Sequence, residues 1–465
     1  MTIATSRQGP DNPSASAAAA RTLAIVSGAV EEPSPRGIAA AVSRLVRDGT
    51  LAAGSRLPTV RTLGATLGVS PATVSGAWRA LAGVGLVVSR GRSGTVVLDT
   101  GSTWMPPRYR DLVGVRSDAR LDLSTGTPDP LLLPELGPIL ARLSSHTLTS
   151  TYLSDPVLPA LERHLHATWP YPAEAITVVD GALDAMARSL EMLVRFGDRV
   201  VVEDPCFPPL LDLLDLLGAE RVPVAMDGSG MRPADLERAL LTSPTAIVLQ
   251  PRAHNPTGIS MPSAREEELA VLLARHPDAK RTVIIEDDHS GMVSTAPDVS
   301  LGRHLPERVL HIRSFSKSHG PDLRIAALGG PRAFVDRIVA RRMLGPGWTS
   351  RMLQQVLLEL LTTGAGLDTV TEARRAYHFR QRELARILRL HAPLEVTGDG
   401  INMWLPVASE SAATLYLAAA GIRVSPGSPF RASETEDGDH VRVTVGRLRA
   451  DHEAVGALLA AARTA

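Results

Sequence analysis

One lysine stands out in a chain that builds its positive charge almost entirely from arginine. Of the 49 Lys and Arg residues, only Lys280 and Lys317 are lysines. Lys317 lies in the small, polar stretch 314–320 (SFSKSHG). Arginine can replace lysine as a surface charge, but it cannot form a Schiff base with a carbonyl compound. The sequence therefore makes Lys317 a candidate for covalent attachment of a carbonyl cofactor, although a leftover loop lysine would give the same pattern.

The region after residue 120 alternates strand-like and helical stretches. Short, continuous, β-branched runs are typical of parallel strands that are buried on both faces. Such runs lie at 176–179, 199–203, 246–249, 283–286 and 309–312, with helical stretches at 183–194, 208–217 and 266–275. The alternation predicts a mostly parallel α/β sheet whose ligand groups lie on loops at the carboxyl ends of the strands.

Polar groups follow three of these strand-like runs. Asn255 opens an Asn-Pro-Thr-Gly turn, Asp287 follows the run 283–286, and Lys317 follows the run 309–312. Arg324 comes shortly after Lys317. Each group alone is a weak signal, because an Asn-Pro-Thr-Gly turn is common turn chemistry and Asp287 could be a helix N-cap. The ordered set is a stronger signal for a shared binding site.

Residues 31–98 form a compact basic segment, since 31–100 hold eight arginines against four acidic residues. Their pattern predicts three helices and a hairpin, at 37–46, 58–68, 71–82 and 85–97. Gly68 suits a helix end, Ser70 an N-cap, and Pro71 the first helical position. Two helices joined by a short turn containing glycine indicate a helix-turn-helix. A plain three-helix module with solvated arginines is the alternative.

This segment resembles the GntR family of winged helix-turn-helix repressors. The resemblance is carried by the stretches 54–61 (GSRLPTVR), 67–70 (LGVS), 73–74 (TV) and 85–86 (GL). It implies a double-stranded DNA operator as partner, because short polar side chains at a helix N-terminus can approach base edges and phosphates. The residues that it implies face the DNA are Arg61, Thr73 and Ser75 on the helices and Arg90, Arg92 and Gly94 in the wing.

The set of Asn255, Asp287, Lys317 and Arg324 resembles the fold-type I aminotransferases that depend on pyridoxal 5'-phosphate. The resemblance extends over residues 121–465 and includes the stretches 123–129 (LSTGTPD) and 152–156 (YLSDP). Combined with the GntR-like module, the whole chain resembles the MocR-type transcriptional regulators. The family implies a large subdomain at about 150–340, a small one at about 345–465 that includes the arm 121–149, and a homodimer.

The resemblance also implies a role for each cofactor-site residue. Lys317 would form the Schiff base, Asp287 would pair with the protonated pyridine nitrogen, and Asn255 would hydrogen-bond the 3-oxygen of the ring. The phosphate would be held by backbone N–H groups and by side chains, namely at Gly181, Ala182, Ser314, Ser316 and Arg324.

Three further residues would complete the site by the same resemblance. Phe207 would stack on the cofactor ring, Tyr152 would reach the phosphate of the neighbouring subunit, and Arg442 would bind the carboxylate of an amino-acid ligand. Each has a plain structural alternative. Tyr152 and Phe207 could be core aromatic residues, and Arg442 could be one of the alternating charges of an edge strand.

Two departures from the family pattern concern catalysis. His289 stands near the position where related sequences commonly have a tyrosine that hydrogen-bonds the 3-oxygen of the cofactor. An imidazole could donate the same bond, but its charge would vary with pH. The helix start at 181–183 (GAL) lacks the Ser, Thr or Gln side chains often used to bind phosphate. Both departures weaken the case for transamination more than the case for cofactor binding.

Composition limits the remaining possibilities. The net charge is zero, so contact with nucleic acid must be local. The single Cys206 excludes an intrachain disulfide and fits a reducing compartment such as the cytoplasm. Metal-binding motifs and apolar runs of about 18 residues are absent from the sequence. Residues 1–30 are predicted to be a disordered tail rather than a signal peptide, and 99–120 a linker.

Three functions remain open at this stage. The leading hypothesis is a DNA-binding regulator whose pyridoxal phosphate domain senses an amine or an amino acid. A second is a sensor of vitamin B6 itself. The third is a working aminotransferase with an appended DNA-binding module.

Overall fold

Two units divide the chain, Met1–Pro107 and Arg108–Ala465. The structure is a computed structural model, and it describes residues 13–47, 49–83, 86–89, 94–97, 105–113, 119–143, 151–391, 398–433 and 438–464. Among these residues, no helix is both long enough and apolar enough to cross a bilayer.

The first unit is a helix-turn-helix with a wing. Its elements are α1 (Pro13–Ala29), α2 (Pro35–Arg47), α3 (Val60–Leu67), α4 (Pro71–Gly83), β1 (Val87–Ser89) and β2 (Thr95–Val97). Helix α3 ends at Gly68, whose φ of 71° lies in the left-handed region. The Ser70 side chain accepts a hydrogen bond from the Thr73 N–H at 3.2 Å, so Ser70 is the N-cap of α4.

The apolar faces of these helices form one core. Val74, Trp78 and Leu81 of α4 are buried together with Ile38 of α2 and Leu63 of α3. Strands β1 and β2 pair antiparallel beside this core. The predicted winged helix-turn-helix is therefore confirmed, including the buried face of its third helix.

The prediction of a disordered tail over residues 1–30 is wrong for residues 13–29, which form α1. Val26 of α1 is fully buried in the core that α2, α3 and α4 share. The alanine-rich run has a high helix propensity, and the apolar residues after it supply the contacts that fix the helix. Composition alone missed these contacts because it weighed only the polar start of the segment.

The elements of the second unit follow in chain order. They are α5 (Pro107–Val113), β3 (Leu121–Asp122), α6 (Gly137–Leu143), α7 (Pro159–Thr168), β4 (Ala175–Val179), α8 (Ala182–Leu193), β5 (Arg199–Asp204), α9 (Pro208–Leu217), β6 (Glu220–Asp227), β7 (Gly230–Met231), α10 (Pro233–Leu240), β8 (Ala246–Leu249), α11 (Ser263–Arg275), β9 (Val283–Asp288), β10 (Val309–Ser314), β11 (Ala326–Gly330), α12 (Arg332–Met343), α13 (Arg351–Thr362), α14 (Gly364–His391), β12 (Met403–Val407), α15 (Glu410–Ala419), β13 (Ile422–Arg423), β14 (Ser425–Pro426), β15 (Asp439–Val443) and α16 (His452–Ala462).

Helix α5 lies inside the stretch that the sequence predicts to be a plain linker, so that prediction is incomplete. The helix has seven residues. Two turns are too short for a 3.6-residue repeat to stand out in a sequence window.

An eight-stranded sheet is the centre of the second unit, with the order β4-β11-β10-β9-β8-β5-β6-β7. The neighbours from β10 to β6 run parallel, whereas β11 is antiparallel to both β10 and β4. The predicted mostly parallel α/β sheet is thus confirmed. Strands β9 and β10 extend to Asp288 and Ser314, beyond the apolar runs, because backbone pairing continues after the first polar side chain.

A smaller α/β layer follows the large sheet. Strands β12, β15 and β14 form one sheet, and β13 pairs in parallel with β3, so residues 121–122 join the carboxy-terminal elements. Leu123, Leu405, Val441 and Leu459 are fully buried in the core of this layer.

The turn at Gly68 yields a stability prediction. We expect Gly68→Ala to lower the free energy of unfolding by about 1–2 kcal/mol, because a Cβ is disfavoured in the left-handed region. The space around Gly68 is open, so backbone strain is the only cost. Gly28→Ala is the matched control, since Gly28 is exposed within α1, meets no neighbour and should gain up to about 1 kcal/mol of helix propensity. Denaturant unfolding of the full chain measures both, and equal effects would contradict the argument.

Candidate functional site

A cavity of about 450 Å³ lies where β5, β8, β9 and β10 end. Adjacent parallel strands bring their carboxyl ends to one edge of the sheet, so groups that are distant in sequence meet there. Ten of the residues singled out in the sequence line this cavity: Ala182, Phe207, Asn255, Asp287, His289, Ser314, Ser316, Lys317, Arg324 and Arg442.

The Lys317 amine lies in the cavity and donates a hydrogen bond to the Gly126 carbonyl oxygen at 2.6 Å. Burial of the amine and the nearby Arg442 guanidinium lower its pKa to about 8. A substantial share of the amine is therefore uncharged slightly above neutral pH, which is the state that can attack a carbonyl carbon.

Asp287 lies on β9 with one oxygen paired and the other without a partner. Its Oδ2 accepts a hydrogen bond from Gln250 Nε2 at 2.7 Å, whereas its buried Oδ1 has no hydrogen-bond partner among the described residues. Burial raises the pKa of Asp287 to about 6. A buried carboxylate oxygen without a donor is costly, and a cationic N–H from a ligand would satisfy it.

The Asn255 side chain is oriented by two donors. Its Oδ1 accepts hydrogen bonds from Asn402 Nδ2 and Arg442 Nη1, each at 3.3 Å. In this orientation its NH₂ group has no protein acceptor among the described residues, so it is free to donate to a ligand oxygen.

A second set of polar groups lies at the start of α8. The Arg324 side chain reaches this region and donates to the Asp180 carbonyl at 3.2 Å, and no carboxylate in the described part of the chain pairs with it. Gly181 precedes α8 with φ of 103°, and a Cβ there would lie 2.6 Å from Arg324 Nη2. Ser314 and Ser316 line the same cavity. A helix N-terminus, two hydroxyls and an arginine are groups that bind a phosphate.

Arg442 is the most unusual charge of the cavity. Only 3% of its surface is exposed, and no described carboxylate lies within ion-pair distance of it. Its guanidinium donates to the Ser124 carbonyl and to Asn255, while its Nε has no partner in the described chain. Burial lowers its pKa to about 10. A buried cation without a counter-charge indicates an anionic ligand.

His289 differs from the expectation drawn from the sequence. Its Nε2 donates to the Ala253 carbonyl at 2.8 Å, and burial lowers its pKa to about 4. The neutral ring has only one N–H group, and that group donates its hydrogen bond to the Ala253 carbonyl oxygen. His289 therefore faces the cavity without a proton to donate, and its charge does not vary near neutral pH.

Tyr152 is outside this cavity. Its side chain is 85% exposed, and its ring lies 6.0 Å from that of Trp348. It is therefore not a core aromatic residue. Phe207, in contrast, lines the cavity as the N-cap residue of α9.

Several cavity residues were missed in the sequence. Gln250 accepts from the Asn255 N–H at 2.8 Å while it holds Asp287. Glu203 accepts from the Gln250 N–H at 2.8 Å, and burial raises its pKa to about 8. Both are polar residues at the end of a buried parallel strand, which is the signal that could have found them. Two more, Tyr109 and Leu112, come from α5.

In the first unit, the residues predicted to face DNA lie on the two helices of the motif and on the wing. Arg61 is exposed in the first turn of α3, and Thr73 and Ser75 are partly exposed in the first turns of α4. Gly94 has φ of 81° just before β2. Arg90 and Arg92 lie outside the described residues.

Comparison with known proteins divides the chain in the same way. Residues 120–458 match the family "Aminotransferase class I and II", and residues 36–97 match "Bacterial regulatory proteins, gntR family". The vitamin B6 salvage pathway transcriptional repressor PtsJ of Salmonella typhimurium is 38% identical over 406 residues, which is 86% of this chain and 91% of PtsJ. The HTH-type transcriptional regulator TauR of Rhodobacter capsulatus is 28% identical over 84% of this chain and 88% of its own.

Solved structures that share the fold of this chain include aminotransferases. LysN, the alpha-aminoadipate aminotransferase of Thermus thermophilus, has a TM-score of 0.67 at 20% identity over 77% of this chain and 95% of LysN. The kynurenine aminotransferase of Pyrococcus horikoshii has a TM-score of 0.67 at 19% identity over 78% and 95%. At these identities the likeness shows the fold, which is that of fold-type I aminotransferases.

The cavity groups fit pyridoxal 5'-phosphate, the cofactor of that family. An unpaired buried carboxylate oxygen suits a pyridinium N–H, an arginine beside a helix N-terminus suits a phosphate, and a lysine of lowered pKa suits an aldehyde. The matched families cover both units of the chain. The chain thus belongs to the aminotransferase class I and II family and, through its gntR-type module, to the MocR-type transcriptional regulators that use pyridoxal 5'-phosphate.

Proposed function

We propose that this regulator senses an amino acid through pyridoxal phosphate held at Lys317. The observation that carries the proposal is Arg442, a buried guanidinium without a carboxylate partner among the described residues, in the cavity that contains the Lys317 amine. A ligand amine could attack the carbonyl carbon of pyridoxal phosphate at Lys317, and a ligand carboxylate could pair with Arg442. An amino acid has these two groups on one small molecule.

Each of these cavity residues would contact a different part of the cofactor or of the amino acid. Pyridoxal phosphate supplies an electrophilic carbonyl carbon that an amine can attack. Lys317 would hold this carbon, Asp287 would pair with the ring nitrogen, and Asn255 would donate to the ring oxygen. Arg324, Ser314, Ser316 and the start of α8 would bind the phosphate, and Phe207 would cover the ring. Arg442 would bind the carboxylate of the amino acid.

A second candidate is a sensor of vitamin B6 itself. It is favoured by the 38% identity to PtsJ, which is named a vitamin B6 salvage repressor. In that case pyridoxal phosphate alone would change the affinity for DNA. Titration of the protein–DNA complex with pyridoxal phosphate, with and without amino acids, distinguishes the two candidates.

Efficient transamination is the weaker alternative. His289 has no N–H left for the cofactor, so the donor that related enzymes commonly use is missing. Turnover of an amino acid with a keto acid at rates of order 1 per second would favour an enzyme.

We also propose that the protein acts in the cytoplasm as a homodimer with two DNA-binding modules. The support is the exposed pair Tyr152 and Leu153, of which 85% and 95% of the surface is accessible. Exposed aromatic and aliphatic side chains beside each other favour an interface.

Lys317→Ala should abolish the visible absorbance of lysine-bound pyridoxal phosphate, because no other amine lines the cavity in the described chain. Lys280→Ala is the matched control, since Lys280 is the only other lysine and is exposed. The Lys317 pKa of about 8 gives a second measurement, the pH dependence of cofactor capture. The rate of capture should rise with pH, reach half of its maximum near pH 8 and level off at higher pH, where most of the amine is uncharged. An unchanged spectrum in Lys317→Ala would exclude this attachment site.

Arg61→Ala should weaken binding to the operator about five- to 150-fold, because a lost arginine contact to a base costs about 1–3 kcal/mol. Arg21→Ala removes the same charge from an exposed position on α1 and should change the affinity less than about twofold. Gel shifts with DNA from upstream of the gene measure both variants. Equal affinities of Arg61→Ala and the wild type would contradict the assignment of α3 to the DNA-facing side.

Tyr152 yields a subunit-mixing test. If Tyr152 serves the neighbouring site, Lys317→Ala and Tyr152→Ala subunits should complement each other in a mixed dimer. Equal mixing should restore native cofactor affinity to about a quarter of all sites, because half of the dimers are mixed and each has one intact site. Absence of recovery after exchange, or a monomer in sedimentation, would overturn the proposal.

A further inference from the structure

The short helix α5 contributes one wall of the cofactor cavity. Tyr109 and Leu112 lie three residues apart, so they share one face of the helix. Both line the cavity that contains Lys317 and Arg442, and Leu112 is 9% exposed. Asp111, between them, is exposed. This helix therefore presents an aromatic ring and an aliphatic side chain to the space where a ligand binds.

Two carboxylates on α9 hold this helix in place. Arg108 Nη1 lies 2.9 Å from Asp212 Oδ1 and 2.5 Å from Asp215 Oδ2. Asp212 Oδ2 also accepts the backbone N–H groups of Arg108 and Tyr109, at 3.1 and 3.3 Å. Burial alone would lower the pKa of Arg108, but the two neighbouring carboxylates outweigh it and raise that pKa. Because α9 begins directly after Phe207, the wall and the ring-covering residue are tied to one element.

The contacts also indicate which part of a ligand would meet this wall. The carboxylate of an amino acid would lie at Arg442 and its amine at the Lys317 end of the cavity. Tyr109 and Leu112 line the same cavity as Lys317 and Arg442. A substituent on the carbon between amine and carboxylate therefore has α5 as an adjacent surface.

We infer that Tyr109 and Leu112 form the subsite for the side chain of the effector amino acid and select an apolar one. This inference rests on the proposed amino-acid sensing and adds the chemical class of its ligand.

The subsite also has a consequence for signalling. Helix α5 starts at Pro107, the last residue of the DNA-binding unit, so an effector side chain in this subsite touches the segment of chain that leads to that unit.

The test compares two probes that differ only in this side chain. N-(5'-phosphopyridoxyl)-L-leucine and N-(5'-phosphopyridoxyl)glycine share the phosphate, the ring and the carboxylate. The full-length protein, freed of cofactor, should bind the leucine conjugate at least about tenfold more tightly than the glycine conjugate, as expected for burial of an isobutyl group. Calorimetry measures both dissociation constants.

Substitutions then locate the source of this ratio. Leu112→Ala and Tyr109→Ala should each reduce the ratio severalfold, with the affinity for the glycine conjugate kept within about twofold. Asp111→Ala, on the exposed side of the same helix, should keep the full ratio. Tyr109→Phe should also keep it, because the ring surface remains.

Every outcome decides between the hypotheses. An unchanged ratio in Leu112→Ala and Tyr109→Ala, or an equal loss of both conjugates, would overturn the subsite. Tight binding of the glycine conjugate in the same experiment would leave the proposed function standing. Failure of the wild type to bind either conjugate would overturn the proposed function itself.

Hydrogen exchange gives an independent measurement on the folded protein. The amides of α5 should exchange more slowly with the leucine conjugate than with the glycine conjugate. The amides at the start of α8 should be protected equally by both, because both conjugates carry the phosphate. Equal exchange of α5 in the two complexes would contradict contact between the effector side chain and this helix.

Discussion

The cavity depends on three buried ionisable groups that lack a full set of partners in the described chain. Lys317 and Arg442 are cations, Asp287 is an acid, and burial shifts the pKa of each towards its uncharged form. Removing such groups from water costs several kcal/mol each unless a partner restores their interactions. The described chain leaves Asp287 Oδ1 and Arg442 Nε unsatisfied. A ligand that supplies the missing charges therefore stabilises the folded state as it binds.

The large sheet makes this arrangement possible. Strands β8, β9 and β10 are parallel neighbours with apolar cores on both faces, so their ends are fixed before any ligand arrives. Glycines then allow the arginines to approach the backbone. A Cβ at Gly126 would lie 3.0 Å from Arg442 Nη1, and one at Gly181 would lie 2.6 Å from Arg324 Nη2. Both glycines also have positive φ, which disfavours a residue with a Cβ at either position.

The sequence predicted the parts of this molecule that follow from local patterns. Local sequence patterns reveal the buried parallel strands, the capped helix α4 and the order of Asn255, Asp287 and Lys317. Gln250 left only its position after a buried strand, and Tyr109 left no trace, because its importance comes from what the fold brings beside it. The proton of His289 could not be assigned for the same reason, since its donor role is removed by the Ala253 carbonyl of another loop. Helix α1 was missed because composition does not show the packing contacts, such as those of Val26, that fix its alanine-rich run as a helix.

Cofactor binding and transamination make different demands on this site. Holding a cofactor requires the phosphate, ring and lysine contacts, which this cavity provides. Related sequences commonly add a tyrosine near the ring oxygen of the cofactor, whereas the His289 N–H of this chain is donated to the Ala253 carbonyl oxygen. A ligand shifts an equilibrium between two states only if it binds one of them more tightly. If a ligand in this cavity changes the affinity for DNA, then DNA must change the affinity for that ligand by the same factor.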